Sequence, residues 1–143
     1  MPKVVINACF GGFGLSKTAC QRYWDIKGTQ VWIEDDTRFA SMELFTVWLV
    51  PPEKRIESKE ESFYDMSMPD RIAYNEQYSE QTWHDRDVGR DDPILIQVVE
   101  ELGAIAFGRH AELRIVEVPD DANWYIEEYD GNEHVAERHR TWS

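Results

Sequence analysis

The sequence contains little cysteine, and this limits how the fold can be held together. Among 143 residues only Cys9 and Cys20 are cysteines, and they have neither CxxC spacing nor a partnering histidine motif. A disulfide-rich secreted scaffold needs a larger, even set of cysteines, and a zinc site needs them at close spacing. We therefore expect two reduced, mostly buried thiols, with no disulfide and no bound metal.

Long apolar segments are also missing. No run approaches the roughly 20 apolar residues that a membrane-spanning helix needs. The opening residues, MPKVVINACF, lack the length of a signal peptide. The sequence therefore predicts a cytoplasmic protein with no membrane partner.

Basic residues are few compared with acidic ones. The chain has 15 Lys and Arg against 28 Asp and Glu, a formal net charge of -13. Such a field repels nucleic acid and anionic membranes, so direct nucleic-acid binding is disfavoured. A partner protein with a basic surface would instead be attracted and steered.

Recognisable catalytic motifs are absent from the sequence. There is no GxSxG elbow and no HExxH pair, and the four histidines have no partner at ligand spacing, so we interpret them as solvated surface residues. Neighbouring acids arise by chance in so acidic a chain. The sequence thus predicts no catalytic residues and no cofactor, and it favours a protein that is not an enzyme.

Residues 92–108 carry the strongest helix signal. Asp92 is a suitable N-cap, Pro93 suits the first helical position, and Gly108 is the predicted stop. Steps of three and four residues place one apolar stripe towards a core. That stripe contains Ile94, Leu95, Val98, Val99, Leu102, Ile105 and Ala106. We expect Ile94, Leu95, Val98, Leu102 and Ile105 to pack across the sheet against Ile6, Val47, Leu113 and Ile115.

The other elements follow from local patterns. A first helix is predicted over residues 17–27, between Ser16 as N-cap and Gly28 as stop. Strands are predicted at 30–34, 44–50 and 111–118, and residues 4–9 are apolar enough for an interior strand. Asp130-Gly131 predicts a terminal hairpin of strands 124–129 and 133–138.

These elements predict the α+β class. We expect one mixed β-sheet with two helices packed on it, a C-terminal β-hairpin, and a long acidic and aromatic insertion at about residues 53–91. Within the insertion, residues 71–74 could add a short edge strand. The length and composition favour a single domain over residues 1–143.

The glycine-rich loop after the first strand has two interpretations. It is a tight turn in which Phe13 packs inward, or its amides bind an anion at a helix start. In the second case it would hold a nucleotide or a nucleotide-derived signal, although the spacing of known phosphate loops is not met. The ligand-binding candidates are then Gly11, Gly12, Phe13, Gly14, Ser16 and Lys17.

Residues 117–133 form the clearest electrostatic anomaly, with seven acids and no base around several aromatic residues. Acids steer a basic partner and aromatics give buried contact, so this stretch is a candidate partner-binding surface. Alternatively, the acids solubilise the hairpin and discourage edge pairing. The candidates are Glu117, Asp120, Asp121, Trp124, Tyr125, Glu127, Glu128, Tyr129 and Asp130.

Three stretches of the sequence stand out as blocks: VVINACFGGFGLS, RDDPILIQVVEELG and VEVPDDANWYIEEYDGNEHVAERHRTW. They resemble blocks in a family of small, largely uncharacterised accessory proteins of tailed bacteriophages. The resemblance implies a host cytoplasm during infection and a protein outside the virion, with no residue roles to carry over. Together with the negative net charge, the resemblance favours a counter-defence inhibitor. Such an inhibitor would block a basic host protein that handles nucleic acid or takes part in defence. A homo-oligomer is left open.

Overall fold

The computed structural model describes residues 2–35, 44–56 and 66–138. The chain divides into two compact units: one comprises Met1–Gly28 and Asp85–Ser143, and the other Thr29–His84. The predicted insertion at 53–91 therefore matches neither unit. That residues 1–143 fold as a single domain stays a prediction.

The described elements confirm the α+β class and the C-terminal hairpin, but three α-helices are present where two were expected. In place of one mixed sheet, the described strands form three antiparallel sheets, β1–β5, β2–β3–β4 and β6–β7. In chain order the elements are β1 (Lys3–Asn7), α1 (Lys17–Lys27), β2 (Trp32–Asp35), β3 (Phe45–Trp48), α2 (Met68–Gln81), β4 (Thr82–Trp83), α3 (Pro93–Leu102), β5 (Leu113–Glu117), β6 (Trp124–Tyr129) and β7 (Asn132–Glu137).

Helix α3 begins as the sequence predicts and ends earlier. The Asp92 carboxylate accepts hydrogen bonds from the amides of Ile94 and Leu95 at 2.8 and 3.4 Å. The predicted stop at Gly108 is wrong, because Gly103 takes a positive φ of 56° and ends the α-helix at Leu102. Residues 103–106 continue as a short 3-10 helix. A residue with positive φ departs from α-helical geometry, and glycine is the residue that adopts positive φ most easily.

The core of the first unit lies on both faces of the β1–β5 ribbon. Val4 and Ile6 share one face and pack, with Val118, against partly buried residues of the hairpin. Val5 is fully buried on the opposite face by strand alternation, and α3 lies against both strands of this ribbon. The ribbon is thus covered by a helix on one side and by the hairpin on the other.

The predicted contacts of α3 need two corrections. Ile6 lies on the hairpin side of β1, so alternation places Val5 in its stead on the helix side. Ile105 is 63% exposed because the α-helix ends before it and the stripe is lost. Val47 belongs to the other unit, so its predicted contact with α3 stays a prediction.

Helix α1 has the predicted bounds and packs against α3. The Ser16 hydroxyl accepts a hydrogen bond from the amide of Ala19, and Gly28 ends the helix. The Tyr23 hydroxyl donates to Asp92 at 2.9 Å, so the residue that caps α3 also binds α1. Burial, and then this bond to a carboxylate, raise the pKa of Tyr23 to about 12.

The second unit contains the three-stranded sheet and helix α2. Trp48 makes an edge contact with Tyr78 of α2, with ring centroids 5.5 Å apart. The Arg55 guanidinium lies 4.6 Å from the centre of the Trp48 ring and pairs with Glu34 at 2.5 Å. The expectation of an edge strand at residues 71–74 is wrong, because these residues lie inside α2, which Ser67 caps.

None of the helices among the described residues is long and apolar enough to cross a membrane.

Replacing Leu95 with Ala should lower the free energy of unfolding by about 2 to 5 kcal/mol, because Leu95 is fully buried and truncation leaves a cavity. Urea titration of the two proteins measures this difference. Ile105→Ala is the control: it removes an exposed side chain and should change stability by less than about 0.5 kcal/mol. Equal losses in the two variants would contradict the placement of the core.

Stability should also fall as the pH rises from about 10 to about 12. Folding raises the pKa of Tyr23 above its ordinary value of 10.0, so in this window the unfolded chain loses a proton that the folded chain keeps. The stabilisation is fully present below pH 10, and it is lost as the pH rises through the pKa of Tyr23 in the folded protein. Urea midpoints measured across this range test it, and Tyr23→Phe should show a flatter decline. A slope unchanged by Tyr23→Phe would exclude Tyr23 as its source.

Candidate functional site

The hairpin of β6 and β7 is set by its two-residue turn. Asp130 and Gly131 both adopt positive φ values, 50° and 88°, as the tight turns favoured in hairpins require. The resulting register pairs Glu127 with His134 and Tyr125 with Ala136. A side chain at Gly131 would overlap the backbone of Gly12, so this turn lies directly on the glycine-rich loop.

The two faces of the hairpin have different environments. On the inner face, Trp124, Ile126 and Val135 are partly buried against the cluster of Val4, Ile6 and Val118. Side chains alternate along a strand, so Tyr125, Glu127 and Tyr129 belong to the opposite face. Tyr129 is 78% exposed and Glu127 is exposed as well. We call this set, with the exposed turn residue Asp130, the outer face.

Glu127 is the centre of the outer face. Its carboxylate accepts a hydrogen bond from the Tyr125 hydroxyl at 2.5 Å and lies 2.6 Å from Nε2 of His134. The hydrogen bond from Tyr125 and, second to it, the bond with His134 lower the pKa of Glu127. The bond between Tyr125 and Glu127 also raises the pKa of Tyr125. Arg138 lies 5.3 Å from the centre of the Tyr125 ring. The carboxylate is therefore held ionised in a defined position on an exposed surface.

The candidate partner-binding residues have different environments. Glu117, Asp120 and Asp121 are exposed at the end of β5 and in the turn that follows it. Trp124 is committed to the core, and Glu128 accepts a hydrogen bond from the Gly131 amide at 3.1 Å. The remaining candidates are the four outer-face residues. The structure brings these together on the hairpin and assigns Trp124 a packing role.

A buried polar network that the sequence did not predict fixes the hairpin to β1. Arg90 binds both carboxylate oxygens of Glu133, at 2.5 and 2.9 Å. One of those oxygens also accepts the amide of Asn7 at 2.8 Å. Asn7 is fully buried, and its side-chain amide donates to the carbonyl of Gly131. Arg90 further stacks on the ring of Phe13, 3.6 Å from its centre.

The same network completes the free edge of β1. The Arg90 carbonyl accepts from the amide of Val5 at 2.8 Å, and its guanidinium donates to the Val5 carbonyl at 3.4 Å. These groups take the place of a second neighbouring strand. The prediction of an interior strand at residues 4–9 is therefore corrected: among the described strands β1 pairs with β5 alone, although it is buried.

Several polar groups of the glycine-rich loop make hydrogen bonds within the protein. The Leu15 amide donates to the Asp85 carboxylate at 2.7 Å, and the Ser16 amide donates to the Ala106 carbonyl at 2.9 Å. The Gly14 carbonyl accepts from Gly108, and the Ser16 hydroxyl donates to Ile105. Phe13 is buried, in line with the tight-turn interpretation, while Lys17 is exposed. Ligand binding at Gly11, Gly12 and the rest of this loop stays a prediction without support from the geometry.

The Cys20 thiol is not in an environment that would activate it. Both cysteines are free; Cys20 is buried and Cys9 partly so. Burial, and secondarily the charge of Asp85, raise the pKa of the Cys20 thiol. A thiol that stays protonated is a poor nucleophile. The part of the chain that the structure describes also contains no group of three potential metal ligands.

Glu133→Ala should lower the free energy of unfolding by about 3 to 5 kcal/mol, because it leaves the Arg90 charge and the Asn7 amide without their partner. Denaturant titration measures the loss. Glu137→Ala, at an exposed glutamate on the same strand, is the matched control and should change stability by less than about 0.5 kcal/mol. An unchanged midpoint for Glu133→Ala would mean that the network does not fix the hairpin.

Comparisons with known proteins give no relative for this chain: no family model, no curated protein and no solved structure matches it.

Proposed function

We propose that this protein binds a basic surface of another protein through the outer face of its C-terminal hairpin. One observation carries the proposal: Tyr125, Glu127 and Tyr129 face away from the core on a hairpin whose other face packs against it. The packing of the inner face holds the hairpin in place. The outer face is therefore already ordered before a partner binds. A preorganised surface loses less entropy when a partner binds.

Charge supports a basic partner. The net charge of -13 produces a field that accelerates encounter with a cationic surface and repels nucleic acid. Glu127 and Asp130 lie beside the exposed Tyr129, and tyrosine is one of the side-chain types enriched where interfaces are anchored. Carboxylates would pair with Lys or Arg, while Tyr129 would supply apolar contact area.

The biological setting of the proposal rests on the resemblance to phage accessory proteins. Proteins that hold nucleic acid carry basic grooves, and an acidic surface can occupy such a groove in place of phosphates. We therefore propose a host protein of nucleic-acid handling or defence as the partner, and inhibition by blocking as the outcome. The resemblance and the charge support a nucleic-acid-handling protein and a defence protein equally as the partner.

Charge reversal on the outer face tests the proposal. A partner is first isolated from bacterial lysate and identified, and its affinity is then measured by calorimetry at increasing salt. Glu127→Lys should weaken binding by about tenfold or more, because it places a positive charge against a basic surface. Added salt should weaken binding of the parent protein as well.

Glu76→Lys is the matched control, since it makes the same change in net charge at an exposed glutamate on α2. It should alter the affinity by no more than about threefold through the long-range field. Binding that ignores salt, or equal losses for Glu127→Lys and Glu76→Lys, would contradict the proposal.

A further inference from the structure

The outer edge of β6 carries backbone groups that point away from its only described strand partner. The amide of Arg138 donates to the carbonyl of Asn123 at 2.8 Å, which sets the hydrogen-bonding phase of the hairpin. Hydrogen-bonded pairs alternate along an antiparallel ladder, so the N–H and C=O groups of Tyr125, Glu127 and Tyr129 point towards β7. The amides of Trp124, Ile126 and Glu128 consequently point outward. Among the described strands none lies beside this edge.

An open strand edge is a template for another strand, and its side chains select which one. On β6, Glu127 and Glu128 follow one another and Asp130 comes directly after the strand. Pairing with a second copy of β6 would bring these like charges together, which is unfavourable across a strand pair. An extended segment with Lys or Arg at alternate positions would place opposite charges beside Glu127.

The other open edge makes a useful comparison. Strand β5 also has one described neighbour, β1, and the bond from the Ala8 amide to the Glu112 carbonyl sets its phase. The amide of Ile115 points outward by the same reasoning. However, β5 carries the exposed Arg114, so it offers a cationic segment less charge complementarity.

We infer that β6 captures an extended, Lys- or Arg-rich segment of the partner as an added strand. This inference rests on the proposed function and specifies the form of the partner. Main-chain hydrogen bonds to Trp124, Ile126 and Glu128 supply affinity, and contacts with the outer face supply specificity. The added strand lies next to Tyr125, Glu127 and Tyr129, so every second residue of the segment meets the acidic and aromatic surface.

Amide hydrogen exchange followed by NMR tests the inference with two synthetic peptides of equal length and charge. The first alternates Lys and Val, and the second alternates Lys and Pro, which keeps the charge but removes the donors and shape needed for strand pairing. The Lys-Val peptide should slow exchange at Trp124, Ile126 and Glu128 by about tenfold or more. The Ile115 amide on β5 is the control and should keep its rate.

The two proposals fail in different ways. If both peptides shift the resonances of Tyr125 and Glu127 while neither protects the outward amides, strand addition is wrong and binding to the outer face stands. If neither peptide affects the resonances or the exchange rates of the hairpin, strand addition and binding to the outer face are both wrong. If the Ile115 amide is protected as strongly as that of Ile126, the selection of β6 by charge is wrong.

A pair of variants isolates a single hydrogen bond. Glu128→Pro removes the outward amide, whereas Glu128→Ala removes the same carboxylate and keeps the amide. The Lys-Val peptide should bind Glu128→Pro about fivefold more weakly than Glu128→Ala. Unchanged exchange at Glu127, whose amide faces β7, establishes that the hairpin is intact in each variant. Equal affinities with intact hairpins would overturn the inference.

Discussion

The ion pair between Arg90 and Glu133 completes the outer edge of β1, a buried strand with one neighbour among the described strands. A strand in the core must satisfy its backbone groups on both edges, since each unpaired group there costs about 1 to 3 kcal/mol. For β1, one edge is completed by β5 and the other by bonds from Arg90 and Glu133 to the backbones of Val5 and Asn7. The same pair joins the hairpin to β1, so the position of the outer face depends on it. Its charges persist in the core because they neutralise one another and share their remaining bonds with Val5 and Asn7.

Features encoded by neighbouring residues could be predicted from the sequence. Ser16 and Gly28 bound α1 as expected, because a cap and a left-handed stop act within one helical turn. The dipeptide Asp130-Gly131 likewise fixed the hairpin. That turn also determines the register, so the pairing of Glu127 with His134 could have been found, and with it the separation of Trp124 from the outer face. The sequence neighbours of His134 do not reveal this contact, because Glu127 lies seven positions away and only the hairpin brings the two together.

Other features escaped prediction for definite physical reasons. Helix α2 has no buried residue, so it lacks the apolar stripe on which helix recognition depends. Its local signal was the cap at Ser67, with Asp70 in the first turn. The Arg90–Glu133 pair spans 43 residues, and in a chain with so many acids no local pattern identifies which one is buried. The early end of α3 at Gly103 was missed because apolar residues continue beyond it, although Ile105 proves to be exposed.

The division of the hairpin into a core-facing and a solvent-facing side has a consequence for how such a protein can evolve. Residues that hold the hairpin in place, such as Ile126 and Val135, are not the residues that a partner would touch. Substitutions at Tyr125, Glu127 or Tyr129 can therefore accumulate with little effect on stability, because surface positions tolerate change. The outer face can therefore change repeatedly while the scaffold beneath it stays constant. Successive side chains of a strand point to opposite faces, so one short strand can separate selection for stability from selection on surface contacts.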